Sequence, residues 1–149
     1  VFAAGLLHDI GQLVLAHVAP QIYRRIDVAA PVTEVIEAER EAFLIDHSEA
    51  GYILAAKWRL PDHIAFGIRY HHRPSFAYEW KEAVHVVTLA AALADVSRGA
   101  QPLAPEAMEG CRDSLAALAL DFGVLERVYE QAHAAMEESQ LNAFLEAPL

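Results

Sequence analysis

Apolar residues recur at three- and four-residue spacing along almost the whole chain, and prolines cut that pattern into short lengths. Val and Ile seldom alternate with polar residues, so strand signals are nearly missing and the expected fold is all-α, a multi-helix bundle. A first helix is expected from about Val1 to Ala19, with Phe2, Leu6, Leu7, Ile10, Leu13 and Val14 on its apolar face and Pro20 at its end. A short second helix, "QIYRRIDVAA", ends before Pro31, and a third spans about Val32 to Phe43 with Glu34, Glu37, Glu39, Arg40 and Glu41 turned outward. Asp46 and Glu49 have capping-box spacing, which starts a fourth helix near His47 and carries it to about Trp58. Pro61 and Asp62 open a fifth, "PDHIAFGIRYHH", which Pro74 stops by disfavouring helical geometry at Arg73. A sixth runs from about Trp80 to Arg98, with Gly99 as its stop. Beyond the loop "GAQPLAPEAMEG" come a short helix near Arg112 to Leu120 and a long one from about Val124 to Leu145. Its stripe of Leu125, Val128, Ala132, Met136 and Phe144 reads as core packing.

With 149 residues, 55% of them apolar, one packed domain over residues 1–149 is expected. The net charge of −10 disfavours nucleic acid and anionic membranes, because no excess of Lys and Arg is available to displace phosphate counterions. Cys111 is the single cysteine, which excludes an internal disulfide or a multi-cysteine zinc site and fits a cytoplasmic location with an inert, buried thiol. No run reaches the roughly 18 apolar residues of a spanning helix. The sequence opens without methionine, directly on an apolar helix face, and is read as a piece of something longer.

Eight histidines is a high count, and His47, His63, His71, His72 and His85 fall between the fourth and sixth helices. His8 and Asp9 stand together inside the first apolar stripe, bracketed by Gly5 and Gly11 in "GLLHDIGQ". Neighbours on a helix point about 100° apart, so both meet one metal only if it sits close to the backbone, an approach the glycines would permit. Imidazole and carboxylate donors suit Fe, Mn, Ni or Zn and point away from calcium and thiolate sites. A hydrogen-bonded His and Asp pair is the structural alternative. His17, His85 and His133 read as core histidines, and Asp62 and His63 as a helix cap and its neighbour.

"GLLHDIG", "DHSEAGYILAAKWRLPDHIAFGIRYHH" and the Ala-rich sixth helix together resemble the C-terminal two-thirds of an HDOD domain, the signalling branch of the HD metal-dependent phosphohydrolase superfamily. The likeness extends over residues 1–99, with 100–149 as C-terminal helices and the N-terminal helices of the domain missing. It implies an HD-superfamily-like helical bundle in which His8, Asp9, His47, His71 and His72 are metal ligands. The family's downstream aspartate falls at Ala91, and Asp95 stands one turn, about 5.4 Å, further on.

Three departures weigh against catalysis: no upstream histidine precedes His8, Gly11 is followed by Gln12 where the enzymes carry Gly-Lys, and Ala91 occupies the aspartate position. The expected role is a non-catalytic signalling module with a degenerate metal site, requiring no cofactor and acting on a protein partner or tethered domain. A metal-dependent phosphohydrolase of cyclic dinucleotides or nucleotides is the alternative, with a divalent metal as cofactor. Arg69 and Arg73 would then bind phosphate, with Arg24, Arg25 or Lys81 also available. Helical faces left bare also suggest a homo-oligomer.

Overall fold

The computed structural model describes residues 1–97, 103–104 and 108–145, with side chains of the last helix followed to Glu138, and divides the first apolar stripe into two helices. α1 (Phe2–Leu7) and α2 (Ile10–Val18) part at His8 and Asp9, so the single helix expected over 1–19 is corrected. His8 Nδ1 donates to the Gly5 carbonyl at 2.7 Å, an oxygen that an unbroken helix reserves for the Asp9 amide. Asp9 takes φ −95° and ψ 10°, outside helical geometry.

The second segment also forms less helix than expected. α3 is one turn, Pro20–Tyr23, followed by turns through Ala30, where the Asp27 side chain accepts from the Ala29 amide at 3.0 Å and favours a turn over helix. α4 (Val32–Phe43), α5 (His47–Lys57), α6 (Asp62–Tyr70) and α7 (Lys81–Ser97) then follow at the expected places. Asp46 caps α5, accepting from the Glu49 amide at 3.0 Å. Pro61 precedes α6, and Pro74 opens a 3-10 turn, Pro74–Phe76. A second 3-10 turn, Glu109–Cys111, leads into α8 (Arg112–Ala117), and α9 covers Phe122–Leu145. Arg98 and the stop assigned to Gly99 lie outside the described residues. No strand occurs among the described residues, and the fold is all-α.

α2 lies on α5, α5 on α6 and α6 on α7, with α1 against α6. Their common core is Ala4, Ala55, Ile64, Ala65, Ile68 and Val87, and its small side chains let the helices come close. The far end of α7 packs with α8 and α9 around Leu89, Val96, Met108, Cys111 and Leu125. Cys111 is buried, as read from the sequence, and burial pushes its thiol up.

The last helix departs from its expected packing. Leu125 is buried, but Val128, Ala132 and Met136 are exposed, so the stripe is core at its first turn only; the side chain of Phe144 lies outside the described residues. Exposed apolar side chains also crowd α1 and α2, where Phe2, Leu6 and Leu13 face outward. Among the described residues no helix is long and apolar enough to cross a membrane.

The glycines bracketing His8 and Asp9 differ in role. A Cβ on Gly5 would meet nothing within 4 Å, whereas one on Gly11 would fall 1.8 Å from the His47 carbonyl oxygen and 2.7 Å from the Gly51 amide nitrogen. Gly11 therefore serves the contact of α2 with α5, not the approach of a metal. We expect Gly11→Ala to lower stability in urea unfolding by about 3 kcal/mol or more, because backbone atoms must be pushed apart. Gly5→Ala is expected to be neutral or to stabilise by up to about 1 kcal/mol.

Candidate metal centre

Four side chains from three places in the fold converge. Asp9 comes from the break before α2, His47 from the first turn of α5, and His71 and His72 from the end of α6. One donor atom from each lies within 4.8 Å of all the others. Asp9 Oδ1 is 3.5 Å from His47 Nε2 and 3.6 Å from His71 Nε2, while His47 Nε2 and His72 Nε2 stand 2.8 Å apart. A tetrahedral ion with donor bonds of about 2.0–2.2 Å spaces its donors about 3.3–3.6 Å; the two Asp9 distances match that spacing, whereas His47 and His72 stand at direct hydrogen-bond distance and would part to admit an ion. His47 and His71 are each 1% exposed, and the Asp9 side chain, at 30%, forms the open side.

The ring tautomers favour donation. His71 Nδ1 donates to the Ile68 carbonyl at 2.7 Å, and its Nε2 is buried without a hydrogen-bond partner, facing the cluster. Burial drives the His71 pKa down, and burial with the neighbouring His71 and His47 pushes His72 down to about 2. Neutral rings keep the lone pairs that metal binding requires. Burial opposes the charge on Asp9, yet the surrounding rings of His71, His8 and His47 outweigh it and hold the carboxyl well below its usual range.

A second layer fixes the first. Glu39, expected to face outward, is 0% exposed: its Oε2 accepts from the His47 amide at 2.8 Å and from His47 Nδ1 at 2.6 Å, and its Oε1 accepts from the Tyr23 hydroxyl at 3.1 Å. Periodicity held the signal, because Val35, Glu39 and Phe43 follow one another at four-residue spacing and Val35 is buried. Asp46, also 0% exposed, accepts from Arg40 at 2.6 Å and Arg73 at 3.0 Å, and from the Ser48 hydroxyl. Arg40 is thereby also turned to a structural task. Burial raises the Asp46 pKa, but the bonds from Ser48 and Glu49 and the two guanidiniums leave it below its usual value.

The other candidates fall elsewhere. His8 adjoins the cluster, with Nε2 3.3 Å from Asp9 Oδ2, but is not one of the four convergent donors. Asp95 lies at the far end of α7, close enough to Cys111 to raise its pKa, and is not among the convergent donors. Arg73 is engaged with Asp46, and Arg69 lies over the Tyr52 ring at 4.3 Å. His63 faces Trp80, their rings 5.6 Å apart. His85 is buried against the Ser114 hydroxyl at 2.9 Å, in keeping with a core histidine. His17 and His133 are not core residues: His17 is exposed on α2, and His133 is half exposed beside Glu137, one turn along α9.

The chain is thus an all-α protein carrying a cluster of three His and one Asp that could hold a metal ion. The family model of the HDOD domain matches residues 1–74, and this part of the chain belongs to that family as a partial domain, within the HD superfamily. The match ends just past the double histidine, short of residue 99. The chain is similar to an uncharacterized protein of Treponema pallidum (strain Nichols), 27% identical over 92 residues, which are 60% of this chain and 18% of that relative. The chain thus spans under a fifth of the relative's length. No solved structure matches it.

The shifts set the pH dependence of the metal-free protein. His71 and His72 titrate below the ordinary 6.5, so the unfolded chain takes up protons first and stability falls as pH drops below about 6.5. Asp46 and Asp9 titrate below 3.8, so their contribution is present above that value and is lost on further acidification. Urea midpoints measured from pH 8 to pH 4 with a chelator present should decline from about pH 6.5 downward. A flat profile would contradict neutral, buried rings.

Proposed function

We propose that the chain is a non-catalytic HDOD-type regulatory module in signal transduction, acting through a protein partner or a tethered domain. Asp9, His47, His71 and His72 would hold one divalent metal that braces α2, α5 and α6. The observation that carries this reading is the enclosure of the donors: His47 and His71 are buried, and their second ring nitrogens are committed to Glu39 and to the Ile68 carbonyl. Four protein ligands around an ion are the mark of a structural site, whereas catalytic sites keep a position open. The two arginines first named for phosphate are engaged within the chain, Arg73 with Asp46 and Arg69 over the Tyr52 ring. Zn, Fe, Mn or Ni suits the mixed nitrogen and oxygen donors.

One observation favours the alternative of a metal-dependent phosphohydrolase. The ionised Asp9 is partly exposed beside His8, so one side of the cluster is reachable from solvent. Bound there, a divalent ion would supply Lewis acidity.

Elemental analysis of the dialysed protein, with melting curves and hydrolysis assays on cyclic dinucleotides and nucleotides with added Mn, separates the two. The regulatory reading expects about one equivalent of metal, lost in His71→Ala, and no turnover. At free metal a hundredfold above Kd the ion adds about 2.7 kcal/mol, or roughly 5–10 °C in Tm. Hydrolysis that disappears in His71→Ala would overturn it in favour of the enzyme.

A further inference from the structure

We infer that Glu39 is the positioning residue that makes His47 a metal donor, and that the Tyr23 hydroxyl bonded to Glu39 ties the cluster to α3. The inference rests on the metal-binding reading above. α4 supplies no donor to the cluster, yet it sends a carboxylate into the core with 0% exposure. A buried carboxylate is costly unless fully bonded, and Glu39 takes three hydrogen bonds, two from His47 and one from Tyr23.

Capping of α5 accounts for one of these bonds only: Asp46 accepts from the Glu49 amide and Glu39 from the His47 amide. The bond to His47 Nδ1 is no part of a cap and is the one that sets the ring. A carboxylate only accepts, so Nδ1 carries a proton and Nε2 is the nitrogen left facing Asp9 and His72, the one through which His47 would hold a metal. Carboxylate partners of this kind fix the ring and raise its basicity, and their loss lowers metal affinity about 10–100-fold. Tyr23 is half buried on a helix of a single turn, and its hydroxyl is the outermost link of this chain of bonds.

The test uses the purified chain and Zn(II), with affinity read by competition against a chromophoric chelator and the His47 tautomer by long-range proton–nitrogen NMR. Glu39→Gln should weaken Zn(II) binding about 10–100-fold, and Tyr23→Phe about fivefold, the weight of one hydrogen bond. Glu37→Gln, on the exposed face of α4, should change nothing. His47 in the wild-type protein should carry its proton on Nδ1. Unchanged Zn(II) affinity in a folded Glu39→Gln variant, or a wild-type His47 protonated on Nε2, would overturn the inference. Should Glu39→Gln fail to fold, Tyr23→Phe and the wild-type tautomer decide. A wild-type protein that binds no Zn(II) defeats the metal reading itself, and the tautomer alone then sustains or removes Glu39 as the residue that orients His47.

Discussion

The contact of α2 with α5 is made backbone to backbone, and the site depends on it. Gly11 presents no side chain where the His47 carbonyl and the Gly51 amide approach. Because His47 opens α5 and Asp9 stands two residues before Gly11, this bare surface brings carboxylate and imidazole to within 3.5 Å. Gly51, one turn along the same face of α5, continues the effect: a Cβ there would come within 2.7 Å of the Ile68 side chain and 3.2 Å of the Gly11 amide nitrogen. Ile68 in turn fixes His71 through its carbonyl. A short succession of close approaches thus sets the positions of three donors.

Charge is handled by pairs of neighbours. Glu39 and Arg40 on α4 meet His47 and Asp46 at the start of α5, each carboxylate finding a partner on the other element. Arg73 adds a third point of attachment, so the segment that follows the double histidine is bound to the same Asp46. Such an arrangement favours a fixed geometry over net stability, since charges removed from water gain little unless every hydrogen bond is made. In an acidic chain it also leaves Arg40 and Arg73 turned to internal use.

Much of this was legible in the sequence, and the parts that were share a cause. The starts of α4, α5 and α6 are set by Pro31, the Asp46 cap and Pro61, and Pro74 follows the end of α6, signals that act within about a turn of where they stand. The HD pair, the histidine at the head of α5 and the double histidine likewise marked the candidate site. Misreadings arose where a distant or competing contact overrode local pattern. His8 bonding back to Gly5 broke the first helix, Asp27 favoured a turn after α3, and exposure replaced packing along the α9 stripe beyond its first turn.

The sequence by itself determined an all-α chain, the order and limits of its central helices, and which residue types were available as ligands, because periodicity, proline and caps are properties of neighbouring residues. Only the tertiary structure decided which histidines meet. His71, His72 and His47 converge on Asp9 while His17, His63, His85 and His133 do not; the family resemblance singled out the first three, but helical periodicity and caps do not bring them together. The same holds for Glu39, whose inward turn required a partner eight residues away on another helix. Convergence is set by how closely helices pack, and that depends on which small residues face each other across the core.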